Sequence, residues 1–234
     1  MDDAPHSLHA VSSACAPVIA PAIRTWLRYL VPLTVLSAIA LCPAIAIAWR
    51  LRTPADPAGA QTALAVGWAM TAAAWPAQLV LVAGASAMTA GRPSQLRALG
   101  QGLARLAGAI VPCLAAVAAI AIGSLALVVP GLVLLVILAL TGASRQPGVR
   151  AALVDSIAAV RAQLPAVALA VAATLAIDAA IGAVAYAVLV GAPRGHPAQL
   201  AAVREFVRVV AASLVVASPL PATVLATIRT RAAP

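Results

Sequence analysis

The sequence has little charge, few aromatic residues and no lysine. Charged residues make up 9% of the 234 positions and aromatic residues 3%, whereas the hydrophobic set reaches 64% and the mean hydropathy is +1.05. A soluble domain of this size is about half apolar and about a quarter charged, and it keeps a large solvated surface. The composition therefore excludes water-soluble globular, disordered, collagen-like and disulfide-rich secreted proteins. It favours a polytopic helical membrane protein.

Residues that bind metals or form disulfides are also scarce. The 3 cysteines and 3 histidines show neither pair spacing nor metal-ligand spacing. Cys42 and Cys113 lie within apolar runs, where cysteine behaves as a small hydrophobic residue. The common hydrolase, metalloprotease and phosphate-loop motifs do not occur. We therefore expect no cofactor, no metal site and no enzymatic activity.

Long apolar runs are what the sequence has instead. A membrane-spanning helix needs about 20 predominantly apolar residues. The runs predict an all-α bundle of about six transmembrane helices, at residues 27–49, 62–90, 106–129, 131–143, 165–190 and 206–228. Residues 25–234 then form a single transmembrane domain. Residues 1–24 form an N-terminal cytoplasmic tail whose acidic start is unlike a secretory signal.

The fourth run is short and follows Pro130 and Gly131. These two residues predict a tight turn between the third helix and a shorter fourth helix. The alternative is one long kinked helix, which would reverse the sidedness of everything after it. In the last run, a kink is expected near Pro219 and Pro221.

Residues 148–163 differ in kind from the apolar runs. As a helix they place apolar side chains on one face, with Arg150 and Arg161 at its borders and Asp155 on the opposite side. This pattern is typical of an amphipathic helix that lies in the membrane interface. The apolar face consists of Val149, Leu153, Ile157, Val160 and Leu164.

The arginines favour one side of the predicted bundle. With six crossings, ten of the 15 arginines fall on the side that carries both termini, and five fall on the other side. Cytoplasmic segments of membrane proteins carry an excess of basic residues. Both termini are therefore predicted to be cytoplasmic, in a multi-pass protein of a bacterial inner membrane.

The central part of the chain resembles a known family. Residues 128–136 read Val-Val-Pro-Gly-Leu-Val-Leu-Leu-Val, and Ala-Leu-Val-Asp-Ser follows at 152–156. Residues 90–165 thereby resemble the membrane domain attached to some bacterial glycerophosphoryl diester phosphodiesterases, and uncharacterised stand-alone bacterial relatives of it. The phosphodiesterase chemistry of that family lies in a separate soluble domain. The resemblance therefore implies a membrane-domain fold and no hydrolase activity.

Asp178 is the one acidic residue within a predicted span. An ionised carboxylate at that depth costs at least about 2.5–3.5 kcal/mol, so the side chain should be protonated, paired or exposed to water. One interpretation is a proton or cation site of a transporter, with Tyr186 two turns away on the same helix face. The other, which we favour, is a hydrogen-bonded carboxyl group that holds helices together.

Together these features predict an integral inner-membrane protein without catalytic activity, whose role is structural or accessory. The alternative is a small transporter or permease subunit that uses Asp178. The expected partner is the lipid bilayer, with a homo-oligomer or a partner in a membrane complex left open. Nucleic acid is not expected, because the arginines lie singly at the ends of apolar runs and form no basic patch.

Overall fold

The described part of the chain is helical throughout. A computed structural model describes residues 17–51, 57–89, 93–146, 148–190 and 196–232, and these ranges contain no β-strand. The all-α class predicted from composition is therefore confirmed. Residues 1–16 of the predicted tail 1–24 and residue 90 of the predicted span 62–90 lie outside the described residues.

Ten α-helices and one 3-10 turn make up the described residues. In chain order they are α1 (17–28), α2 (Leu30–Ala40), α3 (Cys42–Arg50), α4 (Pro57–Thr89), α5 (Gln95–Ala126), α6 (Val128–Leu138), the 3-10 turn (Thr141–Ala143), α7 (Val149–Ala162), α8 (Leu164–Val190), α9 (His196–Ala217) and α10 (Pro219–Ala232). Helix α1 begins at residue 17, so the last third of the predicted tail 1–24 is helical.

Four helical segments are long and apolar enough to cross a membrane. They are Ala58–Thr89, Gln95–Leu125, Leu164–Ala187 and Ala201–Ala232. Helices α2 and α3 provide a fifth if they are counted as one bent span. Helix α6 is too short to cross alone. The expected number of about six spanning helices therefore stays a prediction.

The first predicted span, 27–49, is not one straight helix. It bends by 66° between α2 and α3, where Leu41 leaves helical geometry. Pro43 lies in the first turn of α3. Proline has no N–H to donate to the carbonyl group four residues earlier, and its ring would clash with that carbonyl group. A straight continuation from α2 is therefore disfavoured, and whether the bent pair crosses as the predicted span 27–49 stays a prediction.

The chain turns back between α5 and α6, as predicted, but a few residues earlier than expected. Leu127 adopts an extended backbone that ends α5, and Pro130 and Gly131 lie in the first turn of α6. Proline is tolerated there because the first N–H groups of a helix have no partner within it. A Cβ atom at Gly131 would collide with Ser124, and one at Gly123 would meet Leu134 at 2.6 Å. Helix α6 therefore packs back along α5, and one long kinked helix is not formed.

Helix α4 lies at the centre of the bundle. It packs against α2, α5, α8, α9, α10 and the 3-10 turn, and all of residues 81–88 are buried. Close approach depends on small residues, since a Cβ atom at Gly84 would lie 3.0 Å from Leu36. The 3-10 turn is closer still, because a Cβ atom at Gly142 would collide with the carbonyl group of Leu79. The middle of α4 is thus enclosed by other helices.

The last predicted span consists of two consecutive helices that together form one candidate span, Ala201–Ala232, and the kink near Pro219 and Pro221 stays a prediction. Ser218 separates α9 from α10, and Pro219 begins α10. Helix α9 starts at His196, about three turns before the predicted span at 206. A Cβ atom at Gly67 would collide with the ring of Phe206, so α9 and α4 make close contact at this position.

Candidate functional site

The polar contact at the centre of the bundle joins α8 to α4. The Asp178 carboxylate accepts hydrogen bonds from the Nε2 of Gln78, at 3.4 Å to Oδ2 and 3.5 Å to Oδ1. Both side chains are buried, with 4% of Asp178 and 1% of Gln78 exposed. These distances lie at the long end of the hydrogen-bond range. The site is therefore a buried carboxyl group held by one neutral amide.

The amide partner explains how α8 tolerates an acidic residue. Among the described residues no arginine pairs with Asp178. The Oε1 of Gln78 has no hydrogen-bond partner within the same part of the chain. The sequence reasoning missed Gln78, although it is the one glutamine within the predicted span 62–90. An amide inside an apolar run is the signal that could have identified the partner.

Further buried polar atoms lie on the helices around α4. The Oγ of Ser37 on α2, the Oγ of Ser218 between α9 and α10, and the Nε1 of Trp75 have no partner among the described residues. Trp75 lies one turn before Gln78 on α4. Most buried polar groups in proteins are hydrogen-bonded, so each of these groups needs an explanation. The bundle core therefore has more polar character than its composition suggests.

Tyr186 does not join Asp178. Its ring packs at 6.2 Å from the ring of Trp68, which lies at the same distance from Phe206. Tyr186 is 45% exposed, whereas Asp178 is enclosed. The two predicted candidates share a helix but have different surroundings. Tyr186 belongs to an aromatic cluster near the beginning of α4.

The predicted amphipathic helix is α7, and its bounds agree with the prediction within one residue. Its buried face, however, is centred on small residues, namely Ala152, Ser156 and Ala159, together with Val160. The Oγ of Ser156 donates a hydrogen bond to the carbonyl oxygen of Ile137 on α6 at 3.0 Å. The buried face of α7 therefore differs from the predicted apolar face, because helices pack more closely at small side chains than at large ones. Of that face Val160 is buried, Val149, Leu153 and Ile157 are half-buried, and Leu164 is exposed.

The charged residues of α7 separate into exposed and paired groups. Arg150 and Arg161 are exposed. Asp155 accepts hydrogen bonds from one guanidinium nitrogen of Arg229 at 2.7 Å and 2.8 Å, and these side chains are 21% and 18% exposed. Arg229 lies in the last turn of α10, where a cation also stabilises the helix end. The ion pair therefore fastens α7 to the end of the last helix.

No group of three or more histidine, cysteine or acidic side chains that could hold a metal ion is found within the described residues. No protein-family model, no curated protein and no solved structure matches the chain. Glu205 pairs with its neighbour Arg208 on the same helix. Asp155 and Asp178 are thus the acidic residues that connect distant parts of the described chain.

Proposed function

We propose that the chain is a multi-pass integral protein of the bacterial inner membrane with a structural or accessory role and no catalytic activity. Its apolar surface supports this proposal. Only 22% of the apolar window of α5 is buried in the protein, and Val111, Leu114, Ile122 and Leu125 on that helix are 60–88% exposed. So large an apolar surface is suited to lipid or to a protein partner in the membrane.

In this proposal the chain crosses the bilayer six times, with both termini in the cytoplasm. The bent pair α2–α3 makes the first crossing, and α4, α5, α8 and α9–α10 make four more. The remaining crossing is shared by α6, the 3-10 turn and the segment that leads into α7. Helix α7 then lies at the cytoplasmic interface, where its exposed Arg150 and Arg161 meet the headgroups. Reporter fusions after α10 should be active only in the cytoplasm, and an extracytoplasmic C-terminus would contradict this topology.

The observation that carries the structural role is the enclosed contact between Asp178 and Gln78. Two polar side chains from helices 100 positions apart in the sequence hydrogen-bond where both are at least 96% buried. Amide and other polar side chains that hydrogen-bond across membrane helices contribute to helix association. We infer that this contact is an interhelical clamp that sets the position of α8 on α4.

A reconstituted protein can test the clamp against the transport alternative. Asp178→Asn keeps a side chain that hydrogen-bonds with Gln78. The clamp therefore predicts a folded protein with the same proton flux as the wild type. The measurement is proton flux into vesicles under an imposed pH gradient, followed with a trapped pH-sensitive dye. The control is Glu205→Gln, which removes an exposed carboxylate. Three results together would contradict a purely structural role. They are proton flux in the wild type, loss of that flux in Asp178→Asn, and normal flux in Glu205→Gln.

The alternative, a small transporter or permease subunit, has one observation in its favour. Asp178 has only a neutral partner among the described residues, and unpartnered polar atoms lie nearby on α4 at Trp75 and Gln78. Carboxyl groups without a fixed counterion inside a membrane are common in proton relays. Flux that depends on Asp178 would support this alternative.

The accessory role predicts a partner in the membrane. The resemblance of residues 90–165 to the membrane domain attached to phosphodiesterases belongs to the same proposal, since that domain accompanies a soluble enzyme. Crosslinking in intact cells, with photoreactive residues at Val111 and Leu114, should capture one defined membrane protein. Isolation of nothing but a lone, monodisperse homo-oligomer would count against an accessory role.

A further inference from the structure

A basic cavity lies between α5, the 3-10 turn and the start of α7. Its volume is about 440 Å³, and its polar lining includes Arg105 on α5 and Arg145 in the loop before α7. Ser144 and Gln146 from the same loop also line it. Among the described residues that line it, none is acidic. The cavity is separate from the contact between Asp178 and Gln78.

The two arginines have no partner among the described residues. Neither Arg105 nor Arg145 makes an ion pair or a hydrogen bond with another described residue. Two guanidinium groups that line one cavity repel each other, and this repulsion is strongest where water is excluded. An anion between them would remove the repulsion and satisfy their N–H groups. Arginine is suited to such a role because its planar fork binds two oxygens of one phosphate group.

The start of α7 adds backbone donors to the same cavity. Gly148 and Val149 line it, and the N-cap residue Gly148 has no side chain with which to cap the first N–H groups of α7. Gly148 has φ 90°, a conformation that favours glycine. It lets the chain enter the helix with the uncapped amide groups beside the two arginines. Helix N-termini attract anions through these N–H groups and through the helix dipole.

A buried hydroxyl group provides a further, independent indication. Thr141 lines the cavity, only 1% of it is exposed, and its Oγ1 has no hydrogen-bond partner among the described residues. The turn that carries Thr141 cannot move toward α4, because Gly142 already lies against Leu79. The hydroxyl group is thus held in place without a partner. A ligand oxygen in the cavity could accept a hydrogen bond from it.

We propose that this cavity binds a phosphate group through Arg105, Arg145 and the uncapped start of α7. The phosphate belongs either to the headgroup of an anionic phospholipid or to a free phosphate ion. Val111 lines the cavity and is 63% exposed, so apolar surface on which an acyl chain could lie begins at its edge. Both sources present the same chemistry to the arginines, and they differ in whether that apolar surface takes part.

Binding measurements on the full-length protein in an uncharged detergent separate the two sources. One probe is inorganic phosphate, followed by calorimetry. The other is phosphatidylglycerol, counted by native mass spectrometry against the matching diacylglycerol, which has no phosphate. A headgroup site binds phosphatidylglycerol over diacylglycerol and binds free phosphate weakly. A free-phosphate site binds the ion, and phosphatidylglycerol does not displace it.

Variants show whether the cavity is responsible. Arg105→Gln and Arg145→Gln should each weaken binding of the preferred probe about tenfold or more, because each removes a charge-assisted pair. Raising the salt concentration should weaken wild-type binding as well. Arg231→Gln is the matched control, since it removes the same charge from an exposed position outside the cavity. It should leave binding unchanged.

Two results would overturn the proposal. One is a wild-type protein that binds neither probe saturably up to millimolar concentrations. The other is an equal loss of binding in Arg231→Gln and Arg145→Gln, which would indicate attraction by net charge alone. Circular dichroism and a single gel-filtration peak check that each variant folds. If Arg105→Gln does not fold, Arg145→Gln decides, because Arg145 is exposed in a loop.

Discussion

Asp178 and Asp155 lie on consecutive helices in opposite environments. Asp178 is 4% exposed in the middle of α8, and its partner is the neutral amide of Gln78 at 3.4 Å. The side chain of Asp155 is 21% exposed on α7, and its partner is the Arg229 guanidinium at 2.7 Å. The contact at the enclosed site is the longer one, and its hydrogen-bond donor is a neutral amide. The contact at the end of α10 is short and charged.

The difference reflects what each place can accommodate. A buried ion pair requires that two charges leave water, and this cost can exceed their attraction. At the end of the bundle Asp155 and Arg229 are both partly exposed, so an ion pair costs less desolvation there. In the centre, an amide satisfies part of the carboxyl group without adding a second charge. The bundle thus pairs an enclosed aspartate with a neutral amide, and a partly exposed aspartate with an arginine.

Removing the amide partner should have the largest effect. Gln78→Leu leaves a buried carboxyl group without its hydrogen bond, at an expected cost of about 1–3 kcal/mol in the free energy of unfolding. The double variant Gln78→Leu with Asp178→Leu should recover most of this loss, because both polar groups are then gone. The measurement is unfolding in mixed detergent, followed by circular dichroism. Gln101→Leu, at an exposed position of α5, is the control, and equal stability of the two single variants would refute the clamp.

Breaking the ion pair at the end of the bundle should have a smaller effect. Arg229→Gln is expected to cost about 1 kcal/mol, between the values for exposed and fully buried pairs. The loss of stability in Arg229→Gln should shrink at high salt, whereas the loss of stability in Gln78→Leu should not. Unfolding at two salt concentrations measures both, with the exposed Arg231→Gln as control. A loss in Arg229→Gln that is independent of salt would show that packing, and not charge, matters at this contact.

An isosteric change at the buried site should have less effect again. Asp178→Asn keeps the shape of the side chain and a hydrogen bond to Gln78, so a change below about 1 kcal/mol is expected. Asp155→Asn loses an ion pair and should be the more destabilising of the two. Thermal unfolding of both variants in one detergent makes the comparison. Greater destabilisation by Asp178→Asn would mean that the enclosed site requires the carboxyl group itself.

The smallest effect is expected at the exposed arginines of α7. Arg150→Gln and Arg161→Gln should change the free energy of unfolding by less than about 0.5 kcal/mol, because neither side chain is buried. The same unfolding assay in detergent checks this, with Arg229→Gln as the reference for a paired arginine. A loss as large as that of Arg229→Gln would mean that these arginines have partners in the folded protein.

The helices could be predicted well from the sequence, and their breaks less well. Runs of apolar residues predicted the regions of α4, α5 and α8, and the break at Ser218 lies beside Pro219, one of the prolines that suggested a kink. The bend at Leu41 was not foreseen, since the run 27–49 contains no loop-forming segment. The break at Leu127 falls ahead of the proline and glycine that suggested it. Local patterns indicate that a chain must turn, but packing of α6 onto α5 decides which residue adopts the extended backbone.

The sequence by itself determined the all-α class, the apolar surface and the isolation of Asp178, because these follow from composition and from the spacing of charges. Only the tertiary structure decided the partners: Gln78 for Asp178, Arg229 for Asp155, and the shared cavity of Arg105 and Arg145. These partners lie 40 to 100 positions apart in the chain. Which side chains meet over such distances depends on how the helices pack, and apolar helices of similar composition can pack in many ways. The contacts of Asp178 and Asp155 and the cavity of the two arginines therefore follow from the arrangement of the helices around α4.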